Sequence, residues 1–252
     1  MGGLIPLTYV IYIDHILIHT HNHHTMTIHP YEITPFTLLD YPGKTSCIFW
    51  YAGCNLRCPY CYNPDVVLGK PGSLDEMGFL MERRKYLDGV VLSGGECTLN
   101  PEIEELCRAI KSLNLLVKID TNGSRPDVIK NLIDKKLIDY VALDNKNPEY
   151  KSDLLWPDKT KLYDKFKETV NILNENKFPY EIRTTVHPDL LNEEDLIRMI
   201  NDAKSLGYSG TYYLQVYFHA AKTLGNMNKP TSMTDFDKVK SAAELRVEIR
   251  QA

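Results

Sequence analysis

No lysine or arginine occurs before Lys44 in this chain of 252 residues. A secretory leader needs a basic n-region and a small-residue cleavage site, and a mitochondrial transit peptide needs arginines. Neither pattern is present, so a soluble cytoplasmic protein is the expectation. Long apolar runs are also missing. The stretch Leu4 to Ile18 is interrupted by Asp14 and His15 and is too short to span a bilayer as a helix. Charge of one sign is not in excess: the formal net charge is -4, which gives no support for a nucleic-acid or anionic-membrane partner. Glycine and proline number 14 each, which excludes collagen-like and low-complexity chains. With 43% hydrophobic and 25% charged residues, the composition is that of one large α/β domain or two small ones.

What is in excess is histidine, and only locally. Six of the eight histidines, His15, His19, His21, His23, His24 and His29, fall in the first 29 residues. Closely spaced imidazoles can chelate a metal, but a flexible or non-native extension explains the tract more simply. The reading is an extension over residues 1–25 and a single domain over 26–252, with Met26 as the functional start.

From Cys47 onward, short apolar runs alternate with amphipathic stretches. Strands are predicted at Cys47–Tyr51, Gly89–Leu92, Leu116–Ile119, Tyr140–Leu143, Tyr180–Val186 and Thr211–Tyr217, each rich in Val, Ile, Tyr or Phe between Gly, Pro, Asn or Asp. Helices are predicted at Ser73–Tyr86, Pro101–Leu113, Pro126–Asp134, Lys159–Asn174 and Asn192–Leu206. Their signals are Ser73 with Glu76 at capping-box spacing, Asn100 before Pro101, and Gly207 as a stop. Alternation of this kind gives a parallel sheet with right-handed crossovers. Six units rather than eight predict a partial, open (β/α)6 barrel. The segment Ser241–Arg250 is readable as a last helix or, through Val247-Glu-Ile249, as a strand.

Cys54-Asn-Leu-Arg-Cys58-Pro-Tyr-Cys61 directly follows the first predicted strand, where loops at the C-terminal ends of parallel strands build active sites. Three thiolates on one tight loop can ligate three irons of a four-iron cluster and leave the fourth open. A Cys3His zinc site is the alternative, but it wants a fourth ligand at knuckle spacing, and the next Cys or His after Cys61 is Cys97. Cys47, Cys97 and Cys107 read as small buried hydrophobes. Ser93-Gly-Gly-Glu96 follows the second strand: the glycines allow close backbone approach, and the carboxylate can accept hydrogen bonds from an ammonium group. Asp120-Thr-Asn-Gly123 follows the third, Ala142-Leu-Asp-Asn-Lys146 the fourth, and Arg183-Thr-Thr-Val-His187 ends the fifth.

C-x3-C-x-aromatic-C, with Tyr60 as the aromatic, resembles the signature of radical S-adenosylmethionine (SAM) enzymes. With Leu39-Asp-Tyr-Pro-Gly-Lys44 and Gly53 to Asn63, the chain is similar to the activating proteins of anaerobic ribonucleoside-triphosphate reductase, within the glycyl-radical-enzyme activases. The likeness runs from about Ile33 to Tyr217. It implies a [4Fe-4S] cluster on Cys54, Cys58 and Cys61, with SAM chelated to the open iron. Gly94, Gly95 and Glu96 would hold the methionine amino group. Asp120 and Thr121 would contribute to SAM binding and to a monovalent-cation site completed by Asp144, and Lys146 would face the SAM carboxylate. Tyr60 and, on a looser match, His187 join the cofactor set. Cys97 departs from the family, which usually has proline there. The resemblance implies one-electron cleavage of SAM and a glycyl radical raised on a reductase polypeptide, with a flavodoxin- or ferredoxin-type electron donor. A radical SAM enzyme acting on a small molecule, such as the carboxy-deazaguanine synthase group, and a non-catalytic zinc or iron-sulfur module are the alternatives.

Overall fold

The computed structural model describes residues 26–154, 162–219 and 222–251. The histidine tract, with the rest of residues 1–25, and the start of the helix expected at Lys159 lie outside the described residues. One sheet of eight strands, ordered β1 to β8, organises the chain. Strand β1 (Glu32–Thr37) pairs antiparallel with β2 (Ser46–Tyr51). From β2 onward the pairing is parallel through β3 (Gly89–Gly94), β4 (Leu116–Thr121), β5 (Tyr140–Asp144), β6 (Tyr180–Val186), β7 (Tyr212–Val216) and β8 (Val247–Gln251). All six expected strands are present in order, and the sheet gains one strand at each end. β1 and β8 are its edges, so the barrel is open, as the sequence predicts.

The helices are α1 (Pro64–Leu68), α2 (Glu76–Arg83), α3 (Ile103–Ser112), α4 (Pro126–Asp134), α5 (Leu162–Glu175), α6 (Glu193–Ser205) and α7 (Phe236–Ala242). Their stops and starts follow local chemistry. In α3 the buried residues Ile103, Leu106, Cys107 and Ile110 recur at the spacing that lines one helix face. The helix starts at Ile103 rather than Pro101, with Glu102 in the cap position and no side-chain cap; Asn100 Oδ1 instead accepts from the Glu102 amide at 2.9 Å in the turn before it. Helix α2 starts at Glu76 rather than Ser73, because Asp75 takes the cap by accepting from the Gly78 amide. Helix α6 opens with a full capping box between Asn192 and Asp195. None of the described helices is long and apolar enough to cross a membrane.

Strand residues alternate between two environments. Val90, Leu92, Val117, Ile119, Val141, Leu143, Ile182 and Leu214 join Leu106, Ile110, Ile129, Leu132, Val170 and Met199 in the main core beneath the helices. The opposite, concave face begins with the small apolar cluster of Tyr41, Ile48 and Val91. It becomes polar toward the C-terminal ends of the strands, where Ser93, Asp120, Asp144, Arg183, Thr185 and Gln215 line a cleft. The sheet thus separates a dry layer from a charged one.

The last strand is locked from that concave face. Arg250 on β8 donates two hydrogen bonds of 2.9 Å to the Glu181 carboxylate on β6, and its guanidinium lies 3.4 Å from the centre of the Tyr213 ring. Glu181 is only 3% exposed, so it needs that partner. Arg250→Ala is expected to cost about 2 kcal/mol in a denaturant melt, the low side for an orphaned buried charge because Arg250 is partly exposed. Adding Glu181→Gln should recover part of the loss.

Candidate active site

The cleft encloses about 1020 Å³, counting the space at its open mouth; every loop leaving β2 to β5 contributes to it, and β6 adds Arg183 and Thr185 from the strand itself. The loop after β2 carries Cys54, Cys58 and Cys61, and all three line the cleft with Tyr60. Its backbone is organised by its own donors. The Leu56 amide donates to Cys54 Sγ at 3.3 Å, the Cys61 amide donates to the Cys58 carbonyl at 3.0 Å, and Arg57 Nη1 donates to the carbonyls of Cys54 and Leu56. A segment between β7 and α7 closes the loop from outside: the amides of Leu224 and Gly225 donate to the carbonyls of Cys61 and Pro59 at 2.8 and 2.9 Å. Asn55 ties the loop to the turn after β4, donating to Ser124 Oγ and accepting from Asn122 Nδ2.

Burial pushes the Cys54 thiol up to about 12, despite the Leu56 amide, and raises the Cys58 thiol as well. Metal uptake would therefore displace protons from the loop. Among the described residues, no three His, Cys, Asp or Glu side chains converge on one point as a single ion requires. What suits a cluster is the donor set, three thiols on one loop lining one cleft, since each thiolate can take a different iron and leave the fourth open.

Gly94 and Gly95 face this loop at close range. The Gly95 amide donates to the Tyr51 carbonyl and the Glu96 amide to the Gly53 carbonyl, both at 2.9 Å. Glu96, 3% exposed, lines the cleft and is held by its neighbours. Its Oε1 accepts from the Thr98 amide, the Thr98 hydroxyl and the Thr121 hydroxyl, and its Oε2 accepts from the Asn122 amide. Burial raises this carboxyl, and those four donors only partly offset the effect. These hydrogen bonds also join the end of β3 to β4 and the turn after it.

Asp120, Asp144 and Lys146 come together at the cleft wall, and two cations the sequence reading left without a role join them. Lys118 Nζ is 2.5 Å from Asp120 Oδ1. Arg183 bridges the two acids, with Nη2 3.0 Å from Asp120 Oδ2 and Nε 2.5 Å from Asp144 Oδ1. Lys146 Nζ is 2.8 Å from Asp144 Oδ2. Burial alone would raise both carboxyls, but Arg183 and Lys118 bring Asp120 below the ordinary range. Arg183 and Lys146 bring Asp144 to about 2. The residues expected to hold a monovalent cation are paired within the chain here: each carboxylate oxygen of Asp120 and Asp144 is ion-paired, and Thr121 donates to Glu96.

His187 does not reach the cleft. β6 ends at Val186, and the next turn sends the Leu190 and Leu191 amides back to the His187 carbonyl. The ring, buried and 4.5 Å from the Tyr217 ring, accepts from the Asp189 amide through Nδ1. Burial lowers its pKa, and its place is structural. Cys97 is likewise a core thiol, donating to the carbonyls of Leu92 and Asp120. Signals for the two overlooked cations were present: Lys118 sits between Val117 and Ile119, and Arg183 follows Ile182, so each is a charge in a strand with both faces covered.

Residues 48–203 match the profile of the radical SAM superfamily. The chain belongs to that superfamily. It is 38% identical over 169 residues, 65% of this chain and 70% of the relative, to a protein of Methanocaldococcus jannaschii named as a glycyl-radical enzyme activating enzyme. It is 33% identical over 126 residues, 46% of this chain and 52% of the relative, to the pyruvate formate-lyase-activating enzyme of Clostridium pasteurianum. Among solved structures, Streptococcus suis SuiB bound to S-adenosylmethionine shares the fold with a TM-score of 0.61 at 15% identity. That match covers 81% of this chain, which spans about half of the SuiB chain (49%). The protein is thus a radical SAM enzyme that groups by sequence with the activating enzymes, and its cofactors are a [4Fe-4S] cluster and SAM.

Proposed function

We propose that this radical SAM enzyme activates a glycyl-radical enzyme, and that its partner is anaerobic ribonucleoside-triphosphate reductase. Cys54, Cys58 and Cys61 would hold the cluster. The Gly94-Gly95 backbone, with the Glu96 carboxylate, would take the SAM amino group, and Lys146 the SAM carboxylate. Tyr60 and Asp120 complete the cofactor wall. When bound, the reduced cluster and SAM supply a one-electron cleavage that yields methionine and a 5′-deoxyadenosyl radical. The protein's part is to orient the cofactor and exclude water: Leu56 and Tyr60, within the cysteine loop, are buried with Leu162 and Tyr217 and keep that wall dry.

The observation that carries the reading is the mouth of the cleft. Asp40, in the turn between β1 and β2, lines it, and beside Asp40 the side chains of Leu38 and Leu39 stand in water, Leu39 90% exposed. Exposed leucines at the rim of a reaction cleft favour a polypeptide substrate over a small polar one. We also assign the catalytic unit to residues 26–252, with 1–25 as an extension. The amides of Thr27 and Ile28 and the Thr27 hydroxyl donate to the Glu102 carboxylate, so the chain is tied to the fold from there. A cytoplasmic location and a flavodoxin- or ferredoxin-type electron donor complete the proposal.

The test is an anaerobic incubation of the reconstituted, reduced protein with SAM and the reductase, followed by electron paramagnetic resonance. A glycyl-radical signal on the reductase is expected. Formation of 5′-deoxyadenosine without that signal would favour a different substrate, such as the small molecules of the carboxy-deazaguanine synthase group.

A further inference from the structure

The acid and hydroxyl oxygens that the family likeness would give to a metal cation are occupied by this chain's own side chains. Both Asp120 oxygens are taken, Oδ1 by Lys118 and Oδ2 by Arg183. Both Asp144 oxygens are taken too, Oδ1 by Arg183 and Oδ2 by Lys146. Ser93 Oγ adds a longer contact of 3.4 Å to Asp120 Oδ2. Thr121 Oγ1 donates to Glu96 and accepts from the Gly123 amide. A bound metal needs lone pairs turned toward it, and these are turned toward nitrogen.

We infer that Lys118 and Arg183 are the built-in counter-cations of the SAM pocket, so that cofactor binding in this protein needs no monovalent metal ion. The inference rests on the cofactor reading above. Lys118 carries it. Its side chain is 1% exposed, it lies on the concave face of β4, and an ammonium buried so completely is tolerated only with an acid against it. Arg183 adds the geometry: a planar guanidinium can bind two carboxylates from different strands at once, which is the bridging duty an ion would perform. At the Asp120 and Asp144 wall the charges are also complete without a metal. Three cations, Lys118, Lys146 and Arg183, face two carboxylates, Asp120 and Asp144. The surplus positive charge at this wall complements the carboxylate of SAM, and one more cation would meet two acids already paired; the cleft's other acids, Glu96 and Asp40, accept hydrogen bonds from Thr98, Thr121, Asn122 and Thr37.

The reconstituted holoenzyme tests this by SAM binding rather than turnover. Equilibrium dialysis is run in buffers whose only small cation is sodium, potassium or choline. The wild-type affinity is expected to agree within about twofold across the three, whereas a real ion site would couple to SAM by about tenfold or more. Tightening of about tenfold by sodium or potassium over choline overturns the inference. Lys118→Met supplies the second arm, and its fold is checked by circular dichroism. Weakened binding in choline that potassium or sodium restores supports the counter-cation role, and affinity unchanged in choline overturns it. The wild-type series needs no variant, so it decides the matter even where Lys118→Met does not fold. SAM that binds in none of the three salts defeats the cofactor reading and this inference together, whereas ion-dependent binding defeats the inference alone.

Discussion

Replacing Cys58 by alanine is expected to abolish 5′-deoxyadenosine formation by the anaerobically reconstituted, reduced protein, a fall of at least about a thousandfold, or roughly 4 kcal/mol. The size follows from ligand supply. The cleft offers three thiols, Cys54, Cys58 and Cys61, and a cluster that keeps one iron open has no protein ligand to spare. No other cysteine can step in. Cys47 and Cys107 are buried in the main core, and the Cys97 thiol is committed to the carbonyls of Leu92 and Asp120. Cys97→Ala is therefore the matched control, with iron content and SAM cleavage retained. Iron uptake and cleavage that survive in Cys58→Ala would remove the cluster assignment, and loss of both in Cys97→Ala would show that the ligand set was drawn wrongly.

The parts of this architecture that sequence makes legible are those governed by local rules. Strands β2 to β7 announce themselves by short apolar runs between turn residues, and the cysteine loop, the Gly-Gly-Glu turn and the Asp-Thr-Asn-Gly turn each fall at a strand end because that is where the chain leaves the sheet. Edge elements are harder. β1, Glu-Ile-Thr-Pro-Phe-Thr, contains proline and is mostly half-buried or exposed, which is a pattern tolerated only at an edge. β8 becomes a strand because β7 offers it an open edge, and it is fastened by Arg250 to Glu181, a residue 69 positions away. No local signal reports that pair. The same limit applies inside the cleft. Asp120 and Asp144 look like ligands for a cation until Lys118 and Arg183, on other positions of the concave face, are brought within ion-pair distance. His187 continues the parity of Arg183 and Thr185 and so predicts a cleft-facing ring, but the strand stops one residue earlier. Glu96 reads as a ligand group, and Thr98, the end of β4 and the turn after it supply it with four donors that the sequence does not announce. Where the deciding contact is between strands, as for Arg183 with Asp120 and Asp144, its physical content is the need to pair a buried charge or polar group.

Gly95→Ala is expected to lower iron incorporation several-fold during reconstitution, before SAM is added, as well as to eliminate SAM cleavage. A methyl group on Gly95 would lie 2.1 Å from the Gly53 carbonyl oxygen and 3.0 Å from Cys54 Cβ. These are backbone and first-ligand atoms rather than the tip of a flexible side chain, so the clash cannot be relieved by a rotamer change. Either the end of β3 moves or the start of the cysteine loop does, and the hydrogen bonds from Gly95 to Tyr51 and from Glu96 to Gly53 are lost with the movement. Gly94 is constrained for a second reason: its φ of +124° is one that side-chain-bearing residues rarely adopt, and a Cβ there would meet the Tyr51 carbonyl oxygen at 2.1 Å. The glycine pair therefore serves the cluster loop as well as SAM. If the glycines acted only by letting SAM approach, Gly95→Ala would take up iron and sulfide normally and fail only in SAM binding. Iron and sulfide content measured beside SAM affinity separates the two roles, and normal loading in Gly95→Ala would confine the motif to the cofactor.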